Sequence, residues 1–486
     1  MGFKDEFKRE MRNVMKDIEK EARKTWKIEY KGHCIEIINE IKKELLIIDG
    51  VTVFIKKRKY ILSHIIPYSK LSGILVLQDG TKHKVSVKLG GYFNLKCIVK
   101  IDNETILDDS LKFEFLPWDN KEKILPFIQN QVQIHNKIVE EFLPDDEYLY
   151  DENHPRMAAG LSDHLINEVP TPFYAKKLLK LFEEQLNNPT NKTRKATYEK
   201  ITLDTIASYG GEFIERFFEA QLDEALVQKE ALWLLEHAAH REVVKFSIIM
   251  LGCTDCEKYK DLLFTLGLHD EFTQYVLFAL QRGTIQANNQ IWHLAQSVHG
   301  WGKISAVEQL EATTPEIKEW ILTKGCENLI MNEYLAYQCA IKGELDVALY
   351  QETISKELYN GAGLIIKALL NERAPKGLGI EDYPYASAVL SRFVYHSRIH
   401  CKTLEDFYPL MKISKFLNDD NSDWAARFND QWKKHECNAI HQEIQPLIND
   451  TKWHQLALDV VKQENNIKAL EIVRFYQKND TPTTVS

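Results

Sequence analysis

Residues 241–283 read REVVKFSIIMLGCTDCEKYKDLLFTLGLHDEFTQYVLFALQRG and decide the fold. They lie in a longer run, residues 225–348, in which amphipathic segments of about fifteen residues recur. Most segments here and just before this run end at a glycine, and these glycines are Gly210, Gly252, Gly267, Gly283, Gly325 and Gly343. Because helix ends commonly need a left-handed residue, the glycines predict helix C-termini. The spacing predicts stacked helical pairs, an α-solenoid of HEAT-like type with degenerate repeats.

The composition bounds the class of protein. A chain of 486 residues is too long for one compact core, but a repeat array exceeds that limit because each unit packs only on its neighbours. Hydrophobic residues make up 44% and charged residues 27%, which are ordinary values for a soluble protein. The formal charge of -9 argues against a nucleic-acid partner, since nonspecific phosphate binding needs a basic face.

The eight cysteines are scattered, and the chain starts with a charged segment where a secretory signal would need an apolar core. We therefore expect free thiols in a reducing cytoplasm. No stretch approaches roughly eighteen uninterrupted apolar residues, so we expect no transmembrane segment.

An amphipathic helix is predicted over residues 1–26. Its apolar residues recur at intervals of three and four, and they are Phe3, Phe7, Met11, Val14, Met15, Ile18, Ala22 and Trp26. The polar face carries both charge signs, whereas a helix lying on a membrane usually has a mostly basic face. Docking on the following domain or pairing with another copy is therefore favoured.

A small antiparallel β-domain is predicted over residues 27–118, where β-branched residues alternate with polar ones. Asp49-Gly50 and Asp79-Gly80 each stand between alternating apolar runs, which is the strongest short hairpin signal. A third turn is predicted at Asp102-Asn103. The predicted class is thus α+β and mostly α.

A helix and an acidic, proline-marked linker are predicted over residues 119–172, because each proline removes a backbone donor and disfavours helix before it. The helical repeats are predicted over 173–478, with a break at residues 374–379, and a frayed polar tail over 479–486.

Three histidine or cysteine clusters have spacings that metal sites use. His237 and His240 stand three apart on one predicted helix and are weak metal candidates, since a third ligand is missing. Cys253 and Cys256 have redox or zinc-knuckle spacing without a second pair. His396 stands four residues before His400. For each cluster, a structural role is favoured over a metal site.

The densest aromatic and imidazole cluster is WHLAQSVHGWGK, residues 292–303. On a helix ending near Gly300, Trp292 and His299 share one face beside a turn that carries Trp301. Together with His293 these residues are the candidate ligand contacts, since small-ligand sites are mostly apolar with a few polar groups. Packing between neighbouring helices explains the cluster equally well, so no catalytic residue is assigned.

The same stretch, with TTPEIKEW at 313–320 and NLIMNEYLAY at 328–337, resembles the bacterial proteins described as limonene hydroxylase. The resemblance covers most of the chain. It implies an NAD(P)H-dependent monooxygenase that hydroxylates limonene, a small apolar substrate, to carveol and perillyl alcohol, and oxidises these to carvone and perillyl aldehyde. Flavin or iron would activate oxygen, but no motif for either is present.

The alternative belongs to another class: a non-enzymatic repeat scaffold that binds a protein or peptide on its concave face. The residue pattern by itself favours this scaffold. The spectrum of the purified protein separates the two hypotheses, because an oxygenase would carry flavin or iron.

Overall fold

The computed structural model describes residues 24–40, 43–57, 68–77, 79–90, 96–108, 116–150, 155–165, 172–371, 378–419, 423–429 and 432–479. The chain divides into two compact units, Met1–Phe115 and Leu116–Ser486, which are taken in turn. It is mostly helical, with two antiparallel sheets of four strands preceding the helices. The coarse α+β class is confirmed.

Each sheet of the first unit is an antiparallel meander in which consecutive strands pair. The first sheet contains β1 (Lys24–Tyr30), β2 (His33–Asn39), β3 (Lys43–Ile48) and β4 (Val51–Lys57). The second contains β5 (Tyr68–Val76), β6 (Lys82–Gly90), β7 (Lys96–Ile101) and β8 (Glu104–Asp108). Both sheets contribute buried aliphatic side chains to one core, among them Ile35, Leu46, Leu71, Val85 and Val99.

The three predicted hairpin turns are confirmed. Asp49 and Gly50 join β3 to β4 with φ angles of 51° and 80°, which suit a primed two-residue turn. Gly80, with φ 83°, lies in the turn between β5 and β6, and Asp102-Asn103 joins β7 to β8. A fourth turn, between β1 and β2, has a left-handed Gly32 that the sequence analysis did not single out.

The helix predicted over residues 1–26 lies outside the described residues except at its end, where it is wrong. Lys24, Thr25 and Trp26 belong to β1. Trp26, Ile28 and Tyr30 alternate with polar residues, so they fit a period of two as well as the end of a helical stripe. The buried Trp26 joins the core of the sheets.

The second unit consists of helices, which are numbered in chain order. The first eleven are α1 (Ile124–His135), α2 (Asp146–Leu149), α3 (Leu161–Leu165), α4 (Pro172–Asn187), α5 (Asn191–Ile201), α6 (Ile206–Glu219), α7 (Glu224–His237), α8 (Arg241–Gly252), α9 (Lys260–Gly267), α10 (Asp270–Gly283) and α11 (Ala287–Ser297). They are followed by α12 (Gly300–Gln309), α13 (Pro315–Trp320), α14 (Glu333–Lys342), α15 (Leu345–Tyr350), α16 (Lys356–Leu369), α17 (Ala386–His400), α18 (Leu404–Leu417), α19 (Trp424–Asn429), α20 (Lys434–Ile448), α21 (Lys452–Gln463) and α22 (Ile467–Asn479).

Alternate helices pack against one another in a row. α8 contacts α10, α10 contacts α12, α12 contacts α14, α14 contacts α16, and α16 contacts α18. Each helix of the row from α8 to α12 also contacts the helix that precedes it in the chain. One continuous hydrophobic core joins these helices, from Trp118 to Phe475.

The glycines that predicted helix ends stand where expected in five of six cases, but for a different physical reason. None of the six has a positive φ. A Cβ on Gly252, at the end of α8, would lie 2.5 Å from the Cα of Ala279 on α10. A Cβ on Gly283 would lie 2.5 Å from the Sγ of Cys256. Gly252 and Gly283 therefore allow neighbouring segments to approach closely. Gly210 is the one glycine of the six that does not stand at a helix end, because it lies inside α6.

The stretch predicted as an acidic linker packs into the second unit. The helix predicted there, α1, ends at His135 because Asn136 adopts a left-handed conformation, φ 55°. Leu143 is buried, and Asp145 is fully buried. Its carboxylate is paired with an arginine of α8, so the acidic residues of this stretch are packed rather than solvated. None of the described helices has the length and apolar character needed to cross a bilayer.

Candidate functional site

The structure separates the histidines of the proposed metal pair. α7 ends at His237, Ala238 is extended, and His240 precedes α8, so the two imidazoles do not share a helix face. His237 stacks on Trp233 with ring centroids 4.0 Å apart. Nδ1 of His240 accepts a hydrogen bond from the Glu242 N–H at 3.2 Å, which caps α8. Burial lowers the pKa of His240 to about 4, so it stays neutral at pH 7.

His240 belongs to a pattern that the sequence analysis missed. His269 occupies the same position before α10, where its Nδ1 accepts from the Glu271 N–H at 3.2 Å. His299 precedes α12 without making a side-chain cap. The three histidines thus mark the starts of three successive helices in the row. The spacing of 29 or 30 residues in the sequence was the available signal.

The four candidate ligand contacts do not form one site in the described part of the chain. α11 ends at Ser297, because Val298 is extended, so Trp292 and His299 do not share a helix face as predicted. His293 and His299 are exposed. The buried Trp301 ring lies 4.7 Å from His164 and 5.2 Å from Tyr334. Trp301 is therefore a packing residue of the helical core.

Trp292 is half-buried in α11, and its indole nitrogen is buried without a hydrogen-bond partner. Its ring lies 6.0 Å from the ring of His293. Neither residue lines the cavities described below.

The cysteine pair has a structural role, and so do two short glycine motifs. These are Gly361-Ala362-Gly363 and Gly300-Trp301-Gly302-Lys303, which match a dinucleotide fingerprint and a phosphate loop only in part. Burial raises the pKa of Cys253 to about 12 and that of Cys256 to about 11, so neither thiol is ionised at pH 7. Gly361 lies within α16, where a Cβ would be 2.1 Å from the carbonyl oxygen of Leu322, so this glycine serves helix packing.

The run Gly300-Trp301-Gly302 is occupied by a carboxylate of the chain itself. Asp270 accepts hydrogen bonds from the backbone N–H groups of Trp301 and Gly302. A Cβ on Gly300, whose φ is 41°, would lie 2.3 Å from Oδ2 of Asp270. The amides that would bind a phosphate in a phosphate loop are therefore already bonded, and neither glycine motif fits the pyrophosphate of NAD(P)H.

A buried ion-pair cluster joins the starts of α8 and α10 to Asp145, Asp146 and Asp163. At its centre, Nζ of Lys245 lies 2.7 Å from Glu271, 2.9 Å from Asp163 and 3.0 Å from Glu242. All four side chains are buried. Burial by itself would raise the pKa of Glu271. The charge of Lys245 outweighs burial and lowers this pKa to about 2.

Arg241 is the second cation of this buried ion-pair cluster. Its guanidinium donates to both carboxylate oxygens of Asp145, at 2.8 and 3.1 Å, and also pairs with Asp146. Its backbone N–H donates to Asp145 at 2.7 Å. Each cation of the cluster is matched by carboxylates and closed off from solvent, so the cluster holds Asp145, Asp146 and Asp163 against α8 and α10.

An open groove lies between α14, α16, α18, α20 and α22, with a cavity volume of about 1350 Å³. We call it the C-terminal groove. Its charged side chains are five cations and three carboxylates, namely Lys367, Lys412, Lys415, Lys468, Arg474, Glu333, Asp419 and Glu471. His441, Gln445, Asn371, Asn418 and Asn449 add hydrogen-bonding groups. The groove is therefore formally cationic on a chain whose net charge is -9.

Some of the cations are paired within the groove or at its edge. Lys412 lies 2.8 Å from Glu471, which also accepts from the Tyr408 hydroxyl at 2.8 Å. Lys468 lies 2.5 Å from Glu405. Burial opposes protonation of Lys412, but its hydrogen bonds with Glu471 and Tyr408 raise its pKa.

Lys367 differs from these lysines. It is half-buried on α16, and within the described residues its ammonium group has no hydrogen-bond or ion-pair partner. Burial lowers the pKa of Lys367 and the charge of Lys468 lowers it further, whereas the more distant carboxylates of Glu333 and Glu405 oppose this shift. A half-buried charge without a partner is costly, so this position favours binding of an anionic group.

An aromatic cleft with a volume of about 380 Å³ adjoins the groove. Lys367, Tyr408 and Lys468 line both cavities. The apolar wall of the cleft is made by Tyr359, Leu364, Phe393 and Pro409. The rings of Tyr359 and Phe393 stack with centroids 4.7 Å apart. Lys356, Glu405 and Asp406 also line the cleft. The cleft thus joins an apolar wall to charged side chains, among them Lys367, which has no direct partner in the described part of the chain.

The sequence analysis missed the groove because its residues come from five helices spread over more than a hundred positions. A local signal existed: Lys412 and Lys415 are three apart on α18, and Lys468, Glu471 and Arg474 are three apart on α22. Such spacing places polar groups on one helix face, but it does not reveal that the faces meet.

No family model, curated protein or solved structure matches this chain. Among the described residues, no group of three or more His, Cys, Asp or Glu side chains is arranged to hold a metal ion.

Proposed function

We propose that the helices of the second unit form an α-solenoid of HEAT-like type. The row of alternate contacts from α8 to α18 supports this proposal, as does the recurrence of His240, His269 and His299 at helix starts. For residues 1–23, the proposal of an amphipathic helix that docks on the following domain or pairs with another copy rests on the sequence alone. The proposal of a cytoplasmic location rests on the eight free cysteines.

We propose that this array is a binding scaffold and that the C-terminal groove receives a peptide segment of a protein partner on the concave side. The observation that carries the proposal is the open cavity of about 1350 Å³, lined by charged and amide side chains of five helices and the residues that follow them. An open, polar surface made by several repeats is typical of peptide-binding solenoids.

A library of random peptides displayed on phage tests this proposal with the full-length chain as bait. We expect enriched peptides to bind the native protein and to lose binding when the groove is filled by Asn449→Trp. Asn449 is exposed at the end of α20, so the substitution leaves the core intact. Gln463→Trp, at the exposed end of α21, is the matched control.

The scaffold proposal fails if no peptide is enriched, or if the enriched peptides bind Asn449→Trp as well as they bind the native protein. Thermal unfolding followed by circular dichroism checks that both variants retain the native fold.

The second proposal, hydroxylation of limonene with NAD(P)H, rests on the resemblance. Its structural support is the aromatic cleft, whose volume of about 380 Å³ suits a small apolar ring. Since the glycine motifs do not fit a dinucleotide, no catalytic step is assigned to them. An oxygenase would show flavin or iron absorption after purification and limonene-dependent NAD(P)H consumption. A colourless protein that consumes no NAD(P)H with limonene would overturn this proposal.

A further inference from the structure

We infer that the occupant of the C-terminal groove is an acidic peptide, one carboxylate of which pairs with Lys367 while a neighbouring apolar side chain enters the aromatic cleft. This inference rests on the proposed scaffold function and specifies the partner's chemistry. It starts from the junction of the two cavities, where an ammonium group and an apolar wall lie side by side.

Charge complementarity argues for the acidic peptide. The groove carries five lysine and arginine side chains against three carboxylates. Lys412 and Lys468 already have carboxylate partners at 2.8 and 2.5 Å, whereas Lys367 has none within the described residues. Glu333 and Glu405 act on Lys367 only from a distance, so a carboxylate beside it would supply a direct ion pair, in a place where partial burial strengthens the pair.

The aromatic cleft argues for an apolar side chain next to that carboxylate. A volume of about 380 Å³ accepts one leucine- or phenylalanine-sized group beside Leu364 and Pro409. Peptide grooves commonly combine one buried apolar anchor with polar contacts around it. The partner segment would therefore place an apolar residue beside an acidic one.

The same features argue against a nucleic acid in the groove. Single-stranded nucleic acids need exposed aromatic faces on which bases stack. Tyr359 is buried between Phe393, at 4.7 Å, and His400, at 5.3 Å, and both neighbouring rings stack on it.

Fluorescence anisotropy with synthetic peptides of equal length tests the inference on the full-length protein. The probe peptide contains several glutamates and one central phenylalanine. One comparison peptide has glutamine for glutamate, another has alanine for phenylalanine, and a thymidine oligonucleotide of equal length serves as a polyanion. We expect the probe peptide to bind at least about tenfold more tightly than each of the three others.

Lys367→Met should weaken binding of the probe peptide by about tenfold, because the methionine keeps the side-chain volume and removes the charge. Lys180→Met, on the exposed face of α4, is the matched control and should leave binding unchanged. Arg474→Gln, at an exposed position of the groove, provides a second variant should Lys367→Met alter the thermal unfolding curve.

Equal binding of the glutamate and glutamine peptides would overturn the inference, as would equal binding of the oligonucleotide, or full affinity of Lys367→Met and Arg474→Gln. These outcomes differ from failure of the scaffold proposal. If the phage library yields groove-dependent peptides without acidic residues, the scaffold proposal stands and this inference falls.

Discussion

The buried ion-pair cluster and the C-terminal groove are built from the same residue types and have opposite properties. In the cluster, Lys245 is surrounded by three carboxylates within 3.0 Å and has almost no solvent exposure. In the groove, Lys412 has one carboxylate at 2.8 Å, and about a third of its side chain is exposed. Lys367 has no carboxylate partner within the described residues.

The difference teaches that pairing and burial, rather than the number of charges, separate an architectural cluster from a binding surface. A buried lysine with three carboxylates has no capacity for a ligand, and its loss would leave charges that the interior cannot solvate. An exposed lysine pair contributes little to folding but remains available to a partner. The two regions should therefore respond differently to substitution.

The largest expected effect is that of Lys245→Met. Removing this ammonium group leaves Asp163, Glu242 and Glu271 buried without it, and we expect a loss of about 3–5 kcal/mol in the free energy of unfolding. Urea denaturation followed by circular dichroism measures the loss. Lys412→Met is the matched control and should cost less than about 1 kcal/mol. Similar losses in both variants would remove the contrast between the two regions.

The next effect is a dependence on pH that belongs to the region of the buried cluster. Burial lowers the pKa of His269 to about 4 from its ordinary 6.5, so the unfolded chain takes up a proton first as the pH falls. The stability that neutral His269 contributes is complete above pH 6.5, and roughly 3 kcal/mol is lost between pH 6.5 and 4. His269→Asn, which retains a capping oxygen, should lose less stability over this interval.

The comparison of the native chain with His269→Asn isolates the histidine. Burial raises the pKa of Asp270 to about 7, so its contribution to stability increases as the pH falls, but it does so in both proteins. Below pH 4.5 the protonation of Glu271 destabilises both. Parallel curves for the two proteins between pH 6.5 and 4 would contradict the assignment.

A third prediction uses two glycines within helices. Gly361→Ala places a Cβ 2.1 Å from the carbonyl oxygen of Leu322, and we expect a loss of about 1–3 kcal/mol. Gly210→Ala meets only the side chain of Ile206 at 3.5 Å and should gain about 0.5–1 kcal/mol from helix propensity. Thermal unfolding of both variants measures the difference in sign. Equal changes would mean that close packing does not explain these glycines.

The smallest expected effect is that of Lys468→Met on folding. Its partner Glu405 is about two-thirds exposed, so the change in the free energy of unfolding should stay within about 1 kcal/mol. The variant should nevertheless weaken binding of the glutamate peptide, because Lys468 lines both cavities. Urea denaturation and anisotropy on the same preparation measure the two quantities. A loss of stability with unchanged binding would place Lys468 among the architectural residues.

Local features of the fold were predictable from the sequence, whereas the site was not. Asp49-Gly50 and Asp102-Asn103 formed the predicted turns because turn conformation depends on the residues themselves. The helix ends at Gly252 and Gly283 were also predicted, although contact with a neighbouring segment, rather than a left-handed conformation, explains these glycines.

The long-range pairs were beyond the sequence patterns. Arg241 and Asp145 are nearly a hundred positions apart, and the charged residues around Pro144 were read as a solvated linker. Trp292 and His299 were placed on one face because the helix was expected to continue to Gly300, while extended Val298 ends it. Neither result follows from local periodicity, because each depends on which segments meet in the folded chain.

The carboxylate of Asp270 on the first turn of α12 has a mechanical consequence. It connects two neighbours of the row through backbone amides, and it can approach them because Gly300 and Gly302 carry no Cβ. Stretching the row from its ends would have to break these two hydrogen bonds before α10 and α12 could separate.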